Sequence, residues 1–279
     1  MVNFNGEIVG ENVNLSINNR AFLYGDGVFE TMKIVNYKIL FFEDHYFRLM
    51  ASMRILRMEI PMTFTMEYLE NEILNLSRIN NFQGAARVRF TVFRNDGGYY
   101  LPNSNEISFF INVKPLENQL YKIENSNYEV ELFKDFYITK HLLSTLKTTS
   151  KILNITASIF AKENDYDNCL ILNDSKNIVE AINGNIFMVI ENKLITPPIS
   201  EGCLNGIMRK QILNLAKKND YLEVEEAIIS PFDLQKADEL FITNVISGIQ
   251  PISKYRKKYF TNQLANELLI KLNTLVRLG

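Results

Sequence analysis

Histidine is scarce in this chain: two in 279 residues, His45 and His141. A metal centre built on imidazoles needs more of them, so no metal site is expected. A Ser-His-Asp arrangement would have to recruit one of the two, and neither lies near a G-x-S-x-G turn; both read as hydrogen-bonded structural histidines. Cysteine is equally sparse. Cys169 and Cys203 stand far apart and outside any metal-ligand spacing, and two free thiols fit a reducing cytoplasm. No apolar run approaches the roughly 20 residues of a membrane helix. The opening MVNFNGEIVG lacks the basic stretch and apolar core of a signal peptide, so a soluble cytoplasmic protein is expected. Thirty Lys+Arg against thirty-two Asp+Glu give a net charge of −2. That balance offers no excess cation for nucleic acid or a membrane surface, and neither is an expected partner. There is no G-x-x-x-x-G-K-[ST] loop and no G-x-G-x-x-G after a strand, which removes the P-loop ATPase and nicotinamide readings.

What is present is an ordinary globular composition, with 47% hydrophobic and 22% charged residues. The length is about twice the ~150-residue prior for one domain, so two lobes are expected. The segment 114–127, polar and containing Pro115, is the expected boundary, giving a lobe over 1–117 and another over 124–279. Period-2 alternation predicts strands over 4–9 (broken at Asn5-Gly6), 12–17, 28–35 and 38–42. Helical spacing of Tyr46, Leu49, Met50, Met53 and Leu56 predicts a helix over 43–57, and Thr65 caps a second over 65–80. Strands follow at 86–93, 107–113, 128–133, 168–172, 186–190, 193–196, 222–227 and 239–243. Helices are expected at 151–164, 206–219, 230–236 and 262–276. Strands and helices in this mixed order indicate an α+β fold rather than a regular βαβ alternation.

The chemistry centres on a lysine. In LLSTLKTTSKILNITASIF, Lys147 follows an apolar stretch and precedes an amphipathic helix. A lysine at such a junction is open to partial desolvation, which favours the neutral amine and Schiff-base chemistry; it is equally read as a solvated lysine. Glu180, in NIVEAINGNIF, lies between two apolar strands, where a carboxylate either holds a protonated ring nitrogen or is a solvated turn acid. Gly206 opens a helix whose Ile207 and Met208 amides are unsatisfied donors, suited to an anion, although glycine also serves as a plain helix entry. A second candidate nest is Thr243, Asn244, Val245 and Ile246 after a strand, and Arg48 offers a fixed countercharge or is an exposed helix residue. Singly, each has a structural explanation. Together a Schiff-base lysine, a carboxylate, an arginine and two amide nests are the parts of a pyridoxal phosphate site.

From Asn5 to Pro251 the chain resembles the class IV aminotransferases, the fold-type IV pyridoxal phosphate enzymes. The resemblance rests on NRAFLYGDGVFET (19–31), the HxxRL of 45–49, the K-x-x-[NS] of Lys147–Ser150 and the Glu180/Asn185 pair of EAINGNIF. It also rests on the TPP of 196–198, LNGIMR (204–209) and ADELFITN (237–244). It implies a small α+β N-terminal lobe and a larger barrel-like C-terminal lobe that carries the cofactor lysine. It makes Lys147 the Schiff-base lysine, with Lys151, four residues late relative to the motif, as competitor. It implies that Glu180 pairs with the pyridine nitrogen and that Arg48, the Ile207 and Met208 amides and the Val245–Ile246 region hold the phosphate, with Asn185, Gly206 and Asn244 among the cofactor contacts. Members commonly form homodimers.

The same lysine serves transamination and β-elimination, so only substrate-lining positions discriminate. Those implied are Tyr24, Phe29, Glu30, Arg94, the loop 95–100 and Ser247. D-amino acid aminotransferases carry an Arg/His carboxylate trap after the strand ending near Phe93; here the loop reads NDGGYY. Glu30 in VFE is similar to branched-chain aminotransferases. The leading expectation is an aminotransferase exchanging a branched-chain-like amino acid with a 2-oxo acid. The alternatives are 4-amino-4-deoxychorismate lyase, releasing pyruvate and 4-aminobenzoate, and a cofactor-binding protein without turnover.

Overall fold

The computed structural model describes residues 1–123 and 127–278. The chain divides into two compact units: Met1–Gln119 together with Lys147–Ser150, and Leu120–Leu146 together with Lys151–Gly279. The tetrapeptide that carries Lys147 thus groups with the first unit, whereas the division read from the sequence leaves it with the C-terminal lobe. Residues 124–126 of the expected boundary lie outside the described residues.

The first unit contains β1 (Val2–Phe4), β2 (Glu7–Val9), α1 (Arg20–Tyr24), β3 (Gly27–Val35), β4 (Lys38–Ile39), α2 (Phe42–Ile55), α3 (Met66–Ile79), β5 (Ala85–Arg94) and β6 (Ile107–Leu116). Its six strands form one antiparallel sheet in the order β2-β1-β6-β5-β3-β4. Because side chains alternate along a strand, one face collects the apolar set. Val28, Met32 and Ile34 of β3, Val88, Phe90 and Val92 of β5, and Phe109 and Ile111 of β6 pack with Leu49, Met53, Leu69 and Ile73 of the two long helices. The opposite face receives Phe29, Thr31 and Lys33, directly across from Thr91, Arg89 and Arg87. Thr65 caps α3 as expected, accepting from the Tyr68 amide at 3.1 Å, a contact worth about 1 kcal/mol.

The second unit contains β7 (Glu129–Ile138), α4 (Ile152–Glu163), β8 (Asn168–Asn173), β9 (Ile178–Ala181), β10 (Gly184–Ile190), β11 (Lys193–Thr196), α5 (Ile207–Ala216) and β12 (Glu223–Glu226). It continues through β13 (Glu239–Asn244), β14 (Gly248–Ile252), β15 (Lys254–Tyr255), β16 (Lys258–Tyr259) and α6 (Gln263–Leu278). Its ten-stranded sheet branches at β10, which pairs with β9 and β11 along one edge and with β13 along the other. Leu170, Ile178, Ile186, Leu240, Ile242 and Ile252 form the core on one side. Together the two sheets and their helices make the mixed α+β class.

Some sequence expectations change. Residues 12–17 form no strand: Leu15 and Ile17 are exposed, so their alternation has no core to face. The expected strand 38–42 stops at Ile39, because Phe41 takes a left-handed conformation (φ 55°) and Phe42 starts α2. The helix expected over 230–236 is a single 3-10 turn, Asp233–Gln235. Pro115 lies inside β6 rather than in a linker. Only β5 pairs with that end of β6, since β1 reaches no further than Ile111, and proline is tolerated on such an edge. No helix among the described residues is long and apolar enough to cross a membrane. Among the described residues no group of three His, Cys, Asp or Glu side chains could hold a metal ion.

Candidate cofactor and active site

In the first unit, Lys147–Ser150 runs antiparallel to the start of β3. The Phe29 amide donates to the Lys147 carbonyl and the Thr149 amide to the Gly27 carbonyl, each at 2.9 Å, with a bridge between Val28 and Thr148. Gly27 permits this close approach: a Cβ there would sit 2.9 Å from the Val92 carbonyl oxygen and 3.2 Å from Thr149 Oγ1. The pairing fixes the Lys147 backbone and brings its Nζ to 4.6 Å from the centre of the Phe29 ring. The Arg89 guanidinium lies over the same ring at 3.3 Å. Burial and the neighbouring Arg87 charge pull Arg89 down to about 10. A single arginine in a strand reads as solvated, so composition and motif alone do not single out Arg89. The alternation of RVRFT, opposite Val88 and Phe90, is the signal that places it beside Phe29.

Glu30 points the other way, into the apolar face, where it is 1% exposed. Its carboxylate accepts from Arg48 Nε at 2.7 Å on Oε1 and from Arg48 Nη2 at 2.5 Å on Oε2, and His45 Nδ1 joins Oε2 at 2.7 Å. Burial alone raises the Glu30 carboxyl, but the Arg48 charge and the His45 and Arg48 hydrogen bonds prevail and hold it at about 2. Burial pushes His45 below its usual range against the pull of Glu30. Its Nε2 is buried without a hydrogen-bond partner among the described residues.

Arg94 is committed elsewhere. It donates to Asp26 Oδ2 (3.0 Å), Asn105 Oδ1 (2.5 Å) and the carbonyls of Leu56 (2.8 Å) and Arg57 (3.3 Å). Arg20 shares Asp26 and donates to the carbonyls of Gly97 and Tyr99. These two arginines anchor the 95–105 loop. Tyr24 lies beside Arg20 and Tyr100, with ring centres 5.8 Å apart for the two tyrosines.

In the second unit, Glu180, Asn185 and Thr243 stand directly opposite one another across β9, β10 and β13, so their side chains share one face. Leu204 ties two of them: its amide donates to Glu180 Oε2 and its carbonyl accepts from Asn185 Nδ2, both at 2.8 Å. The third, Thr243, has a buried hydroxyl with no hydrogen-bond partner. Gly206 is the N-cap of α5 and provides no capping side chain, leaving the Ile207 and Met208 amides as first-turn donors in buried surroundings. A Cβ on Gly206 would lie 1.9 Å from Asn185 Oδ1. The β13–β14 turn is shaped by Asn244, whose Oδ1 accepts from the Ile246 and Ser247 amides at 3.0 and 2.9 Å. The Ile246 amide is therefore engaged within the turn. Tyr121 pins the same turn by donating to the Val245 carbonyl at 2.9 Å. Arg209, from LNGIMR, donates to the Pro197 carbonyl and to Glu226. Cys203 is buried, and that burial pushes its thiol up to about 12.

The donor set suits pyridoxal phosphate: a positioned primary amine, a carboxylate oriented by a backbone amide, and an uncapped helix start too tight for a side chain. Among the described residues His45 Nε2 and Thr243 Oγ1 are buried with no hydrogen-bond partner, as are Ser77 Oγ and Arg209 Nε. Comparison with known proteins agrees. Residues 27–255 match the Amino-transferase class IV family, and the chain belongs to it. Members of this family use pyridoxal phosphate. A candidate branched-chain-amino-acid aminotransferase of Methanocaldococcus jannaschii is 29% identical over 96% of this chain and 92% of its own. A D-alanine aminotransferase of Listeria monocytogenes is 28% identical over 87% of this chain and 83% of its own. The solved branched-chain aminotransferase of Thermoproteus uzoniensis, 23% identical, covers 99% of this chain and 94% of its own with a TM-score of 0.89, which places the fold among the fold-type IV aminotransferases.

Proposed function

We propose that this chain is a pyridoxal phosphate-dependent aminotransferase that exchanges the amino group of a branched-chain-like amino acid with a 2-oxo acid. The observation that carries the reading is the Lys147 amine, held by paired backbone over the Phe29 ring. Pyridoxal phosphate, when bound, supplies an aldehyde that condenses with amines and a cationic ring that withdraws electrons. The chain's own groups do the rest. Lys147 Nζ would take the proton from the substrate α-carbon and deliver it to the cofactor carbon that had carried the aldehyde. Glu180, oriented by the Leu204 amide, would keep a proton on the ring nitrogen, and Asn185 holds the same Leu204 backbone through its carbonyl. Arg48 in the first unit and, in the second, the Ile207 and Met208 amides at the Gly206 helix start are each suited to a phosphate and would hold it, with Asn244, Val245 and Ile246 as further cofactor contacts. Phe29 offers the substrate side chain an apolar surface. Glu30 and Arg94, by their partners, act through other groups.

One observation favours a second reading. Arg87 and Arg89 lie on the same sheet face as Phe29, Arg89 over its ring, and pair with no carboxylate among the described residues. That surplus of cation suits the two carboxylates of 4-amino-4-deoxychorismate, and hence lyase chemistry. We also propose a homodimer: Phe22, Tyr99, Tyr100 and Leu101 are largely exposed, and clustered exposed apolar groups mark interfaces. Mass measurement in solution tests it. The reaction is tested by adding L-leucine and then 2-oxoglutarate to protein loaded with pyridoxal phosphate. The amino acid shifts the visible absorption and the oxo acid restores it. Pyruvate release from 4-amino-4-deoxychorismate, without any response to amino acids, selects the lyase instead.

A further inference from the structure

The strand that carries Phe29 also carries an anomaly on its other face. Val28, Met32 and Ile34 enter the apolar core, and Glu30 sits among them. An ionised carboxylate in such a place gains little stability over an apolar side chain of similar size, even when paired. Its contacts show what it does. The two-point grip on Arg48 Nε and Nη2 removes rotation of the guanidinium. His45, one helical turn before Arg48 on α2, bonds Oε2 and prevents Glu30 from swinging out. Oε2 thereby serves both partners.

We infer that Glu30, braced by His45, is a positioning residue that presets the Arg48 guanidinium to receive the cofactor phosphate. This rests on the reading of Arg48 as a phosphate ligand. Glu30 then contributes nothing to the substrate directly, although its place in the VFE motif suggests a substrate contact. A preset guanidinium loses little freedom when the anion arrives, so the effect is confined to phosphate-bearing ligands.

The test compares pyridoxal phosphate with pyridoxal, which lacks the phosphate, as ligands titrated into wild type, Glu30→Gln, Glu30→Asp, His45→Gln and Arg48→Ala. Binding is followed by absorbance, and folding by circular dichroism. The expected result for Glu30→Gln is about tenfold weaker pyridoxal phosphate binding, within the 10–100-fold range of outer-shell partners, with pyridoxal binding unchanged. His45→Gln moves in the same direction by less, Glu30→Asp recovers part of the loss, and Arg48→Ala shows the largest phosphate-specific loss. Should Glu30→Gln not fold, His45→Gln reads the same split. Equal weakening for both ligands in the Glu30 and His45 variants makes the cluster merely structural and overturns the inference. If Arg48→Ala itself shows no phosphate-specific loss, Arg48 is not the phosphate ligand, and the inference falls with that reading.

Discussion

Arg48 and Arg94 belong to the same unit and both meet a carboxylate, Arg94 buried and Arg48 with its side chain 10% exposed, yet their surroundings differ. Arg94 distributes its donors over Asp26, Asn105 and two backbone carbonyls, joining β5 to the loop after it and to the end of α2. Arg48 is gripped edge-on by Glu30, itself bonded to a histidine on the same helix. One arginine ties a loop to its strand; the other is held by a carboxylate that a histidine also bonds. An arginine in a sequence motif therefore says little until its acceptors are known.

The sharpest break in this comparison comes from a residue outside it. Lys147→Ala removes the amine assigned to proton transfer, and turnover falls by about 10²–10⁴-fold or more in an assay coupled to oxo acid formation, while the melting temperature stays near wild type. Arg94→Ala reverses that pattern. Removing one partner of a buried ion pair costs about 3–5 kcal/mol, so denaturant unfolding shows a large loss of stability, and any remaining folded protein binds pyridoxal phosphate and pyridoxal with their wild-type ratio. A smaller effect is expected for Gly206→Ala. The added methyl meets Asn185 Oδ1, and overpacking of about 1–3 kcal/mol weakens pyridoxal phosphate binding about tenfold in a titration.

The pH dependence of stability sharpens the contrast further. Glu30 is held at about 2 in the folded state against an ordinary 4.5. Its contribution is fully present above the ordinary value and is lost as pH falls from about 4.5 toward about 2. His45, lowered by burial, adds a loss of the same sign that begins below its ordinary 6.5. Acid titration of unfolding free energy should flatten in Glu30→Gln between those limits and keep its wild-type slope in a variant of Arg94. The smallest expected effect concerns Cys203. With its thiol pushed up to about 12 by burial, a thiol reagent at neutral pH leaves it unmodified in the native protein and modifies it after denaturation.

Much of this was legible in the residues. Alternation in VFETMKIV defined β3, the spacing of Leu49, Met50 and Met53 defined α2, and Thr65 marked the start of α3. Lys147, Glu180 and the Gly206 helix start were visible as chemistry-bearing residues at element ends. What stayed hidden depends on direction and partners. Glu30 alternates in phase with Val28 and Met32, which could have placed it on the core side, yet only the fold reveals Arg48 and His45 opposite. Arg89 needed the pairing of β5 with β3 before it could be set over Phe29. The row Glu180–Asn185–Thr243 requires knowing that β10 joins β9 on one edge and β13 on the other. Residues 12–17 show the opposite failure, a strand-like alternation with nothing to pack against.

The central claim is that Lys147 drives amino-group exchange on bound pyridoxal phosphate. Its most direct test is a half-reaction followed by absorbance: loaded protein receives L-leucine alone, then 2-oxoglutarate. The account predicts loss of the visible band on the first addition, its return on the second, and no response in Lys147→Ala. A band that never forms in wild type, or that forms and responds to no amino acid, would contradict it.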